Sequence, residues 1–136
     1  MKLEDLQVYN LSMDMAERIW NIVIEWDYFT KDTIGKQLVR ASDSIASNLS
    51  EGFGRYHYKE NRNFSYYSRG SLYETKTWLT KAHNRKLISS ENFQIFSHEI
   101  ENIGIRLNNY IKSIGNIPDD INDYRMTPKA NDAKGQ

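Results

Sequence analysis

The chain has 136 residues, 39% hydrophobic and 26% charged, with 18 basic residues balanced by 18 acidic ones. A single domain of this length buries a real core, and no window approaches the roughly 18 consecutive apolar residues that a membrane span needs. Cysteine is absent, which excludes disulfides, thiolate catalysis and cysteine-based zinc sites, and the opening MKLEDLQVYN is unlike a secretory signal, so a cytoplasmic location is expected.

The balanced charge is unevenly placed. Residues 1–30 carry Lys2 and Arg18 against six carboxylates, a net of −4, whereas residues 57–87 carry seven cations against Glu60 and Glu74, a net of +5. Such asymmetry steers a polyanion, or it pairs acidic and basic faces of neighbouring helices and subunits.

From Leu6 to Trp26, Tyr9, Met13, Ala16, Trp20 and Val23 recur at steps of three and four, with Met15, Ile19, Ile22 and Trp26 widening the stripe. That period predicts an amphipathic helix. Residues 27–32 break it as a short loop, with Asp32 or Thr33 placed to cap the next helix. That second helix is expected from Thr33 to Phe53, its apolar stripe being Ile34, Leu38, Ala41, Ile45, Leu49 and Phe53, with Gly52 and Gly54 marking its end. A polar row, Arg40, Ser44, Asn48 and Glu51, runs beside that stripe. It reads as a structural hydrogen-bond ladder to a neighbouring helix, the sort of row that fixes register; a ligand or nucleic-acid site is the sharper alternative.

The third helix is expected from Lys59 to Lys86, with Phe64, Tyr67, Ser71, Thr75, Trp78 and Ala82 facing inward and Ser68, Leu72 and Leu79 alongside. Gly70 in mid-helix costs about 1 kcal/mol relative to alanine, which predicts close approach of a second backbone there. Arg62, Tyr66, Arg69, Tyr73 and Lys76 alternate basic and aromatic side chains on the side expected to turn away from the core, with Arg55, Tyr56, Tyr58 and Lys59 just upstream. The fourth helix, Ser90 to Ile114, repeats Phe93, Phe96, Ile100, Ile103, Leu107 and Ile111, with Ser90 as its expected cap. Both prolines fall after Gly115, and residues 116–136 read as a disordered C-terminal tail. Four amphipathic helices with short loops predict an all-α, up-down-up-down antiparallel four-helix bundle over residues 1–115.

Enzymatic readings of such a bundle fail on spacing. A di-metal site needs Glu-x-x-His on two helices, but Gly54, Thr80 and Ile95 stand three before His57, His83 and His98. His98, Glu99 and Glu101 form one acidic cluster that reads as a solvated face rather than a metal site. The Arg-to-His spacing of helical ribonucleases and the Glu-x-x-Glu of helical nucleotide pyrophosphatases are missing too. GFGR at 52–55 follows a helix and lacks the Gly-Lys-Ser/Thr ending of a phosphate loop. No catalytic residue, metal or cofactor is therefore expected.

The run QLVRASDSIASNLSEGFGR, followed by ENRNFSYYSRGSLYETKTWL, resembles the four-helix-bundle proteins encoded in intervening sequences of bacterial 23S ribosomal RNA genes, the S23-like family. The resemblance falls on Gln37, Arg40, Ala41, Ser44, Ile45, Asn48, Leu49, Glu51, Gly52, Gly70, Ser71 and Glu74, and extends over about residues 3–115. It implies a homo-oligomer, a ring of five bundles, without enzymatic activity. It also points to related accessory proteins of diversity-generating retroelements, basic pentamers that associate with nucleic acid.

The basic and aromatic face has two readings. In the first, Arg55, Lys59, Arg62, Tyr66, Arg69, Tyr73 and Lys76 bind nucleic acid, RNA before DNA, the cations neutralising phosphates and the tyrosines stacking on bases. In the second, the same side chains form a subunit interface or meet a protein partner, the acidic first helix of one copy facing the basic third helix of the next.

Overall fold

The computed structural model describes residues 1–115, so the expected C-terminal tail lies outside the described residues. Four long helices account for most of them: α1, Gln7–Val23; α2, Lys36–Phe53; α3, Tyr58–Asn84; and α4, Ser90–Ser113. Among the described residues there is no strand. A 3-10 turn, Leu3–Asp5, precedes α1.

The order of the helices around the core follows from the side chains that join them. Gly35, just before α2, packs on Val23 at the end of α1, and Asp43 senses Glu17. Gly52 meets Asn61 and Phe64, while Ser68 donates to the Ile45 carbonyl at 2.7 Å. Arg69 reaches Asn108, and Arg62 reaches Ile114. Arg18 grips Glu99, and Arg106 grips Gln7. In each pair, residues early in one helix meet residues late in the other, so all four neighbours are antiparallel. Met15, Ile19, Leu38, Ile45, Leu49, Leu79, Ile103 and Leu107 fill the centre, each less than 2% exposed.

The inward faces of α1 and α3 differ from the expected ones. In α1 the buried arc is Val8, Ser12, Met15, Ala16, Ile19 and Val23, while Met13 and Trp20 are 43% and 49% exposed. Ser12 can occupy the core because its hydroxyl donates to the Val8 carbonyl at 2.8 Å, and a paired buried hydroxyl escapes the desolvation cost. In α3 the arc is Ser65, Ser68, Leu72, Thr75, Leu79 and Ala82, and Tyr67 is 58% exposed. Small hydroxyl residues on α3 let α2 come close, and Ser68 and Thr75 are satisfied by the Ile45 and Ser71 carbonyls.

The tight glycine is likewise a different one. A Cβ on Gly70 would meet nothing within 4 Å, whereas one on Gly52 would lie 2.9 Å from Phe64 Cβ and 3.0 Å from the Asn61 carbonyl oxygen. The close backbone approach therefore sits at the end of α2, at a glycine whose expected role is only to stop the helix. The loop before α2 is also shorter than expected. Asp27 caps a helical turn, Tyr28–Thr30, by accepting from the Thr30 amide at 2.9 Å, and a π-helical stretch, Lys31–Gly35, runs into α2. At the other end, Ser89 rather than Ser90 caps α4, accepting from the Asn92 amide.

Candidate nucleic-acid interface

The basic third helix and the acidic first helix occupy diagonal corners of the bundle, since α2 and α4 each lie between them. The acidic and basic segments therefore do not neutralise each other side by side within one chain. The α3 edge keeps its positive character.

The stripe along α3 does not point straight outward. It lies on the flank next to α4, and its members divide into anchored and presented side chains. Arg62 donates to the Ile114 carbonyl at 3.0 Å, satisfying a last-turn acceptor of α4. Gly115, at φ 81°, sits so close that a Cβ there would meet Arg62 Nη1 at 2.6 Å. Arg69 donates to Asn108 Oδ1 at 2.9 Å and lies over the Tyr66 ring, 4.8 Å from its centroid. Arg55 pairs with Glu51 one turn back and lies over Phe64 at 4.9 Å. These three guanidinium groups brace the fold. Lys59 and Lys76 are exposed, and Tyr66 and Tyr73 are 46% and 62% exposed, so these four carry the presented chemistry.

Between α3 and α4 the stripe borders a groove of about 640 Å³. Arg69, Tyr73 and Lys76 form its α3 wall; Gln94, His98, Glu101, Ile105 and Asn108 form the α4 wall. Leu72 and Gly104 meet at its floor, where a Cβ on residue 104 would stand 3.5 Å from Leu72 Cδ2. The α4 wall is absent from the sequence-derived set of site residues. Its signal is local: Gly104 next to Ile105 in mid-helix removes a side chain beside an apolar residue, and Ile105 is 59% exposed. At the far end Asn61 donates to the Tyr110 hydroxyl at 3.3 Å, and burial pushes the Tyr110 phenol above its ordinary range.

The polar row on α2 closes on itself rather than on a neighbouring helix. Asn48 donates to the Ser44 carbonyl at 2.9 Å, Glu51 takes the Arg55 guanidinium, and Arg40 is exposed. The bond that does cross from α3 to α2 is Ser68 to Ile45. On α4 the expected acidic cluster splits: His98 and Glu101 line the groove, while Glu99 turns to α1 and takes Arg18 through both oxygens at 2.8 Å. No group of three or more metal-ligating side chains occurs among the described residues. No helix among them is long and apolar enough to cross a membrane.

The second exposed surface is apolar and lies elsewhere. Met13 and Trp20 on α1 and Ile24 just after it are 41–49% exposed, and Tyr28 and Phe29 at the following corner are 78% and 75% exposed.

A family model described as 23S rRNA-intervening sequence protein matches residues 4–109. A solved structure from Bacteroides thetaiotaomicron, a protein with unknown function from the S23 ribosomal protein family, superposes with a TM-score of 0.69 at 22% identity, covering 78% of this chain and 96% of that one. That likeness concerns the fold. Among curated proteins none matches the chain.

Proposed function

The chain belongs to the 23S rRNA-intervening sequence protein family, and from that premise we propose that it is a non-enzymatic, homo-oligomeric bundle that associates with single-stranded RNA through the α3–α4 edge. The observation that supports this reading is the division of the stripe. Lys59, Lys76, Tyr66 and Tyr73 remain exposed along α3, Tyr73 and Lys76 beside a groove, while the three arginines hold the surface in place. Ammonium groups neutralise phosphates, and phenol rings stack on unpaired bases without reading sequence.

Self-association is better supported at the α1 corner than at the stripe. Trp20, Tyr28 and Phe29 are exposed there, and aromatic residues are the type enriched in interface cores. An oligomer built on that corner leaves the α3–α4 edges free, and a ring of them multiplies weak contacts into avidity. This division favours RNA association over the reading in which the stripe itself is the subunit contact.

A titration of labelled single-stranded RNA tests the proposal. Affinity should fall by orders of magnitude between about 50 and 200 mM salt, as expected when several phosphates are neutralised. Absence of binding at the low-salt end would remove the proposal.

A further inference from the structure

Resting on that reading, we propose that the α3–α4 groove takes one flipped-out nucleobase of the bound strand, and that the edge is therefore more than an electrostatic rail. A rail needs only cations. Here the exposed cation Lys76 borders a concavity with an apolar floor and polar walls. The floor exists because Gly104 has no side chain and Leu72 lies beneath it. Exposed Tyr73 and Ile105 flank it. Neither is covered in the folded chain, and both offer the apolar surface that an unpaired base seeks.

The polar groups suit a base edge. Gln94 and Asn108 carry amides that both donate and accept, and Asn108 has its Oδ1 already held by Arg69 at 2.9 Å. That bond orients the amide so that its NH2 is the free half. Lys76 at the rim supplies the charge for the phosphate that must lie beside a bound base. A volume of about 640 Å³ accommodates one nucleotide but not a duplex. The occupant is thus a single nucleotide unit within a single-stranded chain.

The experiment compares fluorescence anisotropy titrations of a short single-stranded RNA with the same strand made abasic at one position at a time, and with the matching DNA. A pocketed base predicts that one abasic position weakens binding about tenfold, the scale of losing one stacked base, while the salt slope is unchanged. Tyr73→Leu and Gly104→Leu should each weaken the intact strand by a similar factor and bind intact and abasic strands alike. Gly104→Leu fills the groove; Tyr73→Leu, at an exposed position, tests the wall if that filling disturbs the fold. The same abasic loss on DNA supports a pocket that reads the base and not the sugar. Should every abasic strand bind as tightly as the intact one, with steep salt dependence retained, the pocket is overturned and the electrostatic association stands. Lack of binding by every strand at low salt overturns both.

Discussion

Two glycines separate packing from propensity. Gly70 lies in mid-helix with nothing within 4 Å of where a Cβ would stand. Gly70→Ala therefore gains about 1 kcal/mol of helix propensity with no steric cost, which for a domain of this size raises the melting temperature by roughly 3–5 °C. Gly52 is buried at the closest approach of α2 and α3. A Cβ there would lie 2.8 Å from Asn61 Oδ1, 2.9 Å from Phe64 Cβ and 3.0 Å from the Asn61 carbonyl oxygen. Carbon atoms pack at about 3.5–4.0 Å, so the helices must part by about half an ångström or more. Overpacking of that kind costs about 1–3 kcal/mol, as much as the propensity gain or more. Urea denaturation followed by far-UV circular dichroism should place Gly70→Ala above the parent and Gly52→Ala at or below it, about 1–3 kcal/mol apart. Equal shifts of the same sign would refute the assignment of Gly52 as the packing glycine.

Other consequences are as specific. Lys86 follows α3 at φ 62°, with the Leu87 amide donating to Ala82 and the Lys86 amide to His83, a Schellman closure that glycine fits best; Lys86→Gly should raise stability by about 0.5–1 kcal/mol in the same denaturation assay. The Arg18–Glu99 pair joins α1 to α4, and a double-mutant cycle should give a coupling of about 1 kcal/mol that shrinks with salt, as partly exposed pairs do. Desolvation, and then Glu17, raise the Asp43 carboxyl above its ordinary range. Ionisation is thus penalised in the folded state, so Asp43→Asn should match the parent at acid pH and become the more stable as pH rises past about 4. A melting series across pH checks the sign.

Much of the fold was legible in the sequence because α2 and α4 bury branched aliphatic residues at helical spacing, as Leu38, Ile45, Leu49, Ile103 and Leu107 show. Periodicity misplaced the inward faces of α1 and α3 for one physical reason. Ser12 and Ser65 fill core positions there, and their polarity counts against burial until their hydrogen-bond partners are known. Larger apolar neighbours, Met13, Trp20 and Tyr67, then drew the stripe towards solvent. At the candidate site the α3 residues could be read from the alternation of cations and tyrosines. Their division into bracing arginines and presented lysines could not, because Arg62 and Arg69 find partners 52 and 39 residues away on α4. The groove's second wall depends on the same long-range packing.

That division also decides which side chains test the function. Arg62 and Arg69 are tied to α4, so reversing their charge perturbs the fold together with any surface role. Lys59 and Lys76 are exposed, so their replacement should leave the bundle intact. The most direct test of RNA association at the α3–α4 edge is therefore one variant with two readouts. Lys59→Glu combined with Lys76→Glu, measured by light scattering and by RNA titration at low salt, should keep the parent's oligomeric mass, lose most of its affinity and flatten the salt slope by about two. A dissociated oligomer that still binds RNA with the parent's slope would contradict it and make the α3 stripe the subunit contact.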